Sequence, residues 1–518
     1  MSLSLPLDRW HGRTLALACV TTLPFAGFLI TSRYPLLRPE TAAALALFLC
    51  WSLLLALLLR PRPLFLLAYA LTAAAVSADP LSRALGLHSH PWAVFWLAFS
   101  LLGLLAVLLR ERLCVLASLA ACSMLLAHLG VHWPAPSSAL ASPAPPTAGH
   151  HHVLYLILDE HNGIAGFPDD IPECRLARDE VQDLYLRRGF RLFPGAYSNY
   201  PATLDSIPSI LNGRLSHRRY EFIHNGQADP YGVYHIDASA FFQAFRRQGY
   251  DINVTQFHGI RYEDNGPAQV SEYSDSLAPL SLPWPQKLTL LLGRYQSSGE
   301  VLKSFKGLLP FRLKDQFVPP IAAAGWWPGH LLAAIRSATR PTLFFAHIPL
   351  PHGPYLYRED GSQRPLPEWS RDQAYDRVPA PEYRARYVRY AAQVRFTAGQ
   401  VRWLLDRLAA ASLLDPLTVV VHSDHASRNR CLRPEAPVNR PSDQFDYIAR
   451  PAERDLLDRF SILFAVKPPG SRAGALVPGK RGILQLLSAE VFSQPPAPDS
   501  DPVILFRQDQ SQIQVNFR

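Results

Sequence analysis

The sequence predicts membrane-crossing helices at the N-terminus, followed by an α/β domain with a largely parallel sheet. Three observations carry this. Charge is segregated: the first 133 residues hold almost no Asp or Glu and consist of long Leu/Ala runs, while nearly all the acid lies later. From His151 onwards, short apolar runs alternate with amphipathic stretches, as when strands of a parallel sheet are joined by helices. Several of those runs end in Asp, Glu or His, and in open α/β sheets ligands bind at the carboxyl ends of strands.

Composition sets the bounds. The chain has 518 residues, of which 48% are hydrophobic and 18% charged. A soluble protein usually carries about 25% charged residues. A purely soluble, a disordered and a collagen-like chain are therefore excluded. The net charge of +9 comes mostly from Arg. Basic residues beside membrane spans and lipid headgroups account for it, so no nucleic-acid partner is expected.

Five apolar stretches approach the roughly 17–25 residues that a helix needs to cross a bilayer. They are Thr14–Thr31, Ala42–Leu59, Pro63–Ala78, Pro91–Leu109 and Leu113–Trp133. The third is the weakest, and without it the topology would flip. With a cytoplasmic N-terminus, Arg9, Arg13, Arg60, Arg62, Arg110 and Arg112 lie inside, and Arg33, Arg38 and Arg83 lie outside. That bias obeys the positive-inside rule and puts everything after Trp133 outside the cytoplasm. The division expected is a transmembrane domain over 1–133, a Pro/Ala-rich linker over 134–150 and a catalytic domain over 151–518.

In the outer domain, strands are expected at His152–Leu158, Asp251–Phe257, Thr342–Ile348, Leu417–His422, Ser461–Val466 and Val503–Phe506. Helical patterns fall near Ala177–Arg188, Ala238–Gln248, Glu382–Ala410 and Lys480–Phe492. Basic and large apolar residues mix in Trp284–Trp327, which suits either a lipid interface or a solvated helix over the core. Cys174 and Cys431 either pair in an oxidising compartment or stay as two thiols.

Four segments carry candidate chemistry. The first strand ends in Asp159-Glu160-His161. Adjacent carboxylates after a buried strand need a cation or a partner, although Asp159 is equally suited to cap a helix. The fourth run ends in Asp424-His425, a natural oxygen–nitrogen ligand pair for zinc or manganese, or else a cap beside a surface His. His347 and His352 follow the third run; His347 reads as a structural histidine, and Pro and Gly present His352 rigidly. Thr203 opens a short helix that ends near Gly213. It reads as a plain N-cap or as a nucleophile at a helix end suited to a phosphoryl or sulfuryl group.

In this order the four segments resemble the alkaline phosphatase/sulfatase superfamily, and the layout resembles its membrane-bound branch, the bacterial phosphoethanolamine and phosphoglycerol transferases. The resemblance implies an alkaline-phosphatase-like α/β/α sandwich. Sulfatases carry Cys/Ser-x-Pro-Ser-Arg-x-x-x-Leu-Thr-Gly, the first residue becoming formylglycine. Setting the last Gly on Gly213 places Thr203 on the nucleophile, with Asp205 and Ile207 at the Pro and Arg positions, so the formylglycine motif is absent. By resemblance, Asp159, Glu160, Thr203, Asp424 and His425 bind one or two divalent ions, most simply zinc or manganese. His352, in Pro351-His352-Gly353-Pro354, contacts the transferred group. Asp424-His425 continues as Ala426-Ser427-Arg428 where relatives read Gly-Glu, so Arg428 is expected to supply positive charge to substrate.

The implied activity is a metal-dependent transfer of a phospho-substituent from a membrane phospholipid donor to an envelope glycan or lipid, through a covalent threonine. The alternatives are a phosphodiesterase, phosphatase or sulfuric ester hydrolase using water, and an inactive membrane binding protein. A monomer in the inner membrane with a periplasmic catalytic domain is expected.

Overall fold

The computed structural model describes residues 10–31, 34–35, 37–59, 61–84, 91–109, 151–226, 234–236, 239–256, 259–262, 269–272, 279–297, 321–322, 324–369, 380–429, 453–493, 502–506 and 512–515. The chain forms two compact units, Met1–Ala139 with Ser274–Pro319, and Leu140–Tyr273 with Pro320–Arg518.

The Leu/Ala runs of the first unit form helices α1 (Trp10–Thr31), α2 (Pro39–Leu58), α3 (Arg62–Ala84) and α4 (Pro91–Leu109). Small residues let them approach closely. Ala16, Leu17 and Val20 of α1 pack on Phe65, Tyr69 and Ala73 of α3, and Ala74 and Ala78 of α3 meet Phe95 and Ala98 of α4. Buried Thr21 and Ser52 bring their hydroxyls to 3.2 Å and link α1 to α2. Trp10–Ile30 and Pro39–Leu58 are long and apolar enough to cross a membrane, while Pro63–Ala78 and Trp92–Leu102 are shorter apolar helices. The fifth run, Leu113–Trp133, and the 134–150 linker lie outside the described residues.

The helix Trp284–Ser297 belongs to this first unit and packs on α2. Its Tyr295 ring lies 5.1 Å from Phe25, 5.4 Å from Phe28 and 6.0 Å from Phe48. Ser274–Pro319, within the range expected for the outer domain, thus groups with the first unit.

The second unit is built on an eight-stranded sheet. In chain order its strands are β1 (Val153–Leu158), β2 (Arg191–Leu192), β3 (Asp251–Gln256), β4 (Gln269–Glu272), β5 (Thr342–Ile348), β6 (Thr418–His422), β7 (Phe464–Lys467) and β8 (Ala475–Leu476). Across the sheet they run β8-β2-β7-β6-β1-β5-β3-β4. The five from β6 to β4 are parallel. β7 is antiparallel to both its neighbours, which makes the sheet mixed. The central strands β1 and β5 are buried along their whole length, as continuous apolar runs require. Phe241 and Phe242, from helix Ala240–Arg247, pack on Tyr155 and Phe345 at 4.8 and 5.1 Å. Helix Ala380–Ala410 packs against Pro172–Leu186 and Trp327–Ser337.

Val503–Phe506 is the strand expected, and among the described residues it pairs with Gln512–Val515 in a two-stranded sheet. Lys480–Gly482 is a short strand on Gly195–Tyr197, so the helix expected from Lys480 begins at Ile483.

Candidate active site

Sheet register assembles the site. Ile157 near the end of β1 pairs with His347 of β5 on one side and His422 of β6 on the other. The residues that follow these three strands therefore emerge together at one edge. The Asp159 backbone N–H donates to the Ile348 carbonyl at 3.0 Å, fixing the first turn beyond β1 against β5.

Asp159, Asp424 and His425 are fully buried, and each offers a ligand atom within 4.8 Å of the others. Neither aspartate is a helix cap. Both Asp159 carboxylate oxygens and Oδ2 of Asp424 lack a hydrogen-bond partner, while Oδ1 of Asp424 accepts from the Glu160 N–H at 3.2 Å. His425 Nε2 lies 3.3 Å from Asp424 Oδ2 and 3.9 Å from Asp159 Oδ1. Its Nδ1 is 2.9 Å from the Ala426 carbonyl. A carbonyl only accepts, so Nδ1 carries the proton and Nε2 presents its lone pair, as a metal-ligating histidine does. Buried carboxylate oxygens without donors are costly unless a cation balances them, so this donor set fits a divalent ion.

Electrostatics agree. Burial, then the Asp424 charge, pushes Asp159 well above the usual carboxylate range. Burial pushes Asp424 the same way, but His425 and His347 outweigh it and hold it below its ordinary value.

Thr203 is the first residue of helix Thr203–Asn212; the N-cap position is Ala202 and makes no side-chain cap. Thr203 therefore does not cap the helix. Its Oγ1 is 3.1 Å from His425 Nε2 and donates to it. Gly213, in the left-handed region at φ 65°, closes the helix where the motif alignment set it. Ser206, one turn on, donates to the Asp424 carbonyl at 2.6 Å and lies 3.1 Å from Ser198 Oγ, so it braces the site.

Glu160, expected among the ligands, lies outside the group of three. It is ion-paired with Arg428, its Oε1 is 3.5 Å from His352 Nε2, and its Oε2 accepts from the Gly353 N–H at 3.4 Å. Burial raises its carboxyl, but His352 and Arg428 prevail and hold it below the usual range. Glu160 and Arg428 both adopt left-handed φ, 60° and 54°, which costs a non-glycine residue energy and is found where geometry serves function. Arg428, expected at substrate, is here ion-paired with Glu160. His352 is buried, as its Pro-rich loop implies.

Sequence reasoning took His347 for a structural histidine and missed its place beside Asp159. Its Nε2 is 3.5 Å from Asp159 Oδ2. The signal was available in the strand parity: His347 shares a register position with Ile157, and Ile157 and Asp159 fall on one face. Asp458 was also missed. Its Oδ1 accepts from the Asn429 N–H at 3.1 Å and Ser427 Oγ at 3.3 Å, and its carbonyl from the Arg428 N–H at 2.9 Å. It clamps the loop that carries His425 and Arg428. Cys174 is a buried free thiol, and Cys431 lies outside the described residues.

No curated protein matches the chain. Among solved structures, the chain is similar to the C-terminal periplasmic domain of EcEptC from Escherichia coli in complex with Zn. That match has 12% identity, 73% of this chain, 97% of that one and a TM-score of 0.40. It is similar to the phosphonate monoester hydrolase of Agrobacterium radiobacter, with 13% identity, 67% and 74% of the two chains and a TM-score of 0.38. An alkaline phosphatase superfamily protein from Vibrio parahaemolyticus gives 12% identity, 72% and 84%, and a TM-score of 0.37. The sulfatase family model matches residues 177–446, more than half of the chain and spanning Thr203, His352 and Asp424. The chain belongs to the sulfatase family.

Proposed function

We propose that this protein is a metal-dependent transferase of a phospho-substituent, acting on envelope lipid or glycan through a covalent intermediate on Thr203. The observation that carries this is the placement of the Thr203 hydroxyl 3.1 Å from His425 Nε2, beside carboxylate oxygens that lack donors. A threonine at the formylglycine position points away from ordinary sulfatase chemistry and towards phosphoryl transfer.

Asp159, Asp424 and His425 would hold the ion. A divalent cation bound there supplies charge neutralisation for the phosphoryl oxygens and lowers the pKa of a nearby hydroxyl. The chain's own residues do the rest. Thr203 places its hydroxyl 3.1 Å from His425 Nε2, beside the ion that this nitrogen would hold, and the first turn of its helix presents backbone N–H groups and a positive dipole end to an anion. Glu160 holds Arg428 and faces His352, so two cationic or proton-bearing side chains line one carboxylate. A proton on His352 Nε2 is held by Glu160 and can pass to a departing oxygen. Ser206 and Asp458 keep the Asp424–Asn429 loop in place.

The reading extends to a multi-pass anchor of five spans, with the catalytic unit outside the cytoplasm beside a phospholipid donor. The test is mass spectrometry of purified protein incubated with phospholipid, together with elemental analysis. Bound zinc or manganese and a phospho-substituent on the Thr203 peptide are expected. Headgroup release with no modified acceptor would move the assignment to a hydrolase. Absence of both metal and adduct would sink the catalytic reading.

A further inference from the structure

The helix Trp284–Ser297 comes late in the chain but packs within the first unit, and α1 and α2 fix the depth at which it does so. Tyr295 has its ring 5.1 Å from Phe25 and 5.4 Å from Phe28, both of α1, and 6.0 Å from Phe48 of α2. Counted from the Thr31 end of α1 and the Pro39 end of α2, these three lie six, three and nine residues in. At about 1.5 Å per residue that is about 9, 5 and 14 Å. The two helices have 22 and 20 residues, enough for the roughly 30 Å of a hydrocarbon core. A ring held among these phenylalanines therefore stands at the depth of acyl chains.

The helix has the composition for that depth. From Leu288 to Ser297 it reads Leu-Thr-Leu-Leu-Leu-Gly-Arg-Tyr-Gln-Ser, with Arg294 the one charged residue. The Arg294 charge acts on the hydroxyl of Tyr34, in the turn between α1 and α2, against the upward push of burial and of Glu40. Tyr34 in turn donates to Oε1 of buried Glu40 at 2.7 Å. An arginine set in hydrocarbon behaves in this way: its stem stays among apolar groups and its head turns to the polar end of the helices. At the other end of the helix, Trp284 is half exposed between Pro283 and Pro285, with Lys287 three residues on. The eleven residues from Trp284 to Tyr295 span about 16 Å, long enough to bring Trp284 to the membrane–water interface, where Trp is favoured.

We propose that Trp284–Ser297 is a re-entrant membrane helix, whose partner is the acyl region of the outer leaflet and whose socket is the α1–α2 hairpin. The inference rests on the reading of α1 and α2 as membrane spans with the second unit outside the cytoplasm. Ser274–Pro319 leaves the second unit and returns to it. A stretch with both ends on one side of a bilayer enters and leaves from that side, so this helix dips in without adding a crossing. The Thr31–Pro39 turn lies on the same side in that reading, which is the side that the Arg294 charge faces.

The experiment places one spin label at a time on the full chain, its six cysteines replaced by serine, in phosphatidylcholine–phosphatidylglycerol vesicles. Accessibility to oxygen, which concentrates in hydrocarbon, is compared with accessibility to a polar nickel complex. Leu47→Cys, half exposed on α2, calibrates the span, and Arg472→Cys, on a side chain 87% exposed in the second unit, calibrates water. Leu288→Cys and Leu292→Cys should match Leu47→Cys, with an oxygen-to-nickel ratio several-fold above that of Arg472→Cys. Trp284→Cys should fall between the two. If Leu47→Cys is shielded from nickel while Leu288→Cys and Leu292→Cys behave like Arg472→Cys, the inference falls and the span reading stands. If Leu47→Cys is also open to nickel, the span reading falls and takes the inference with it. Should the serine background fold poorly, a photo-crosslinking phenylalanine analogue at Leu292 in the otherwise native chain decides. Lipid adducts seen by mass spectrometry are expected; their absence, when the same analogue at Leu47 gives them, overturns the inference.

Discussion

Thr203 shows how one residue's position selects between two roles. A cap would sit at residue 202, but that residue is Ala, and the Thr203 hydroxyl is turned to His425. Thr203→Ala should therefore abolish turnover with little loss of stability, within about 0.5 kcal/mol, because no cap is removed. Thr203→Ser should keep partial activity. Ser206→Ala should behave oppositely in stability. It deletes a buried hydroxyl bonded to the Asp424 carbonyl, a loss of about 1–3 kcal/mol visible in thermal denaturation. Normal turnover by Thr203→Ala would remove the covalent mechanism. Asp205 next to them gives a pH test. Burial raises its carboxyl to about 6, against the donation from Tyr220 N–H and the Arg219 charge. The folded state thus binds its proton more tightly than the unfolded chain. Its contribution is fully present below the unfolded value near 3.8 and is lost as pH rises through about 6, some 3 kcal/mol for about two units. Asp205→Asn keeps an acceptor for Tyr220 and should flatten the melting-temperature decline between pH 4 and 7. An unchanged slope would show that another group titrates there.

At the scale of elements, the site depends on one loop held at both ends. Residues Asp424–Asn429 leave β6 and are clamped by helix Glu453–Phe460 through Asp458 and through the Arg459 carbonyl, which accepts from the Ala426 N–H at 3.1 Å. Asp458→Ala strands the Asn429 N–H and the Ser427 hydroxyl and should destabilise by about 1–3 kcal/mol. It should also lower activity more than tenfold, although Asp458 touches no proposed ligand atom. Activity at the native level would show that the loop holds itself. The strands were legible because continuous apolar runs with β-branched and aromatic residues have few other uses in a chain of this composition. The acidic strand ends were legible because Asp and His are expensive there. Pairing order was not: the antiparallel insertion of β7, and the detachment of Val503–Phe506 to a sheet of its own, depend on tertiary contacts that leave no local period. The same applies to Glu160. Its neighbour in sequence is a ligand candidate, but its own partner, Arg428, is 268 residues away and reached only through the fold.

At the scale of the molecule, two expectations can be checked from outside. A reporter joined after residue 150 should be active only outside the cytoplasm if the proposed five spans and the Arg bias set the topology; activity inside would overturn the span count. Stripping the metal with chelator should abolish turnover and lower the melting temperature, since a ligand present at 100 times its Kd stabilises by about 2.7 kcal/mol. A melting temperature indifferent to chelator and to added Zn²⁺ would contradict the donor set described above. One further property follows from the path of the chain. Because Trp284–Ser297 packs on α2, the unit begun by the first residues is completed only by residues made long after them. During synthesis, Phe25, Phe28 and Phe48 await a Tyr295 that follows the 140–273 part of the second unit. The first unit is thus assembled from two separated stretches of chain. A chain arrested at residue 273 lacks the helix Trp284–Ser297, and a fragment begun at residue 140 carries Tyr295 without Phe25, Phe28 and Phe48.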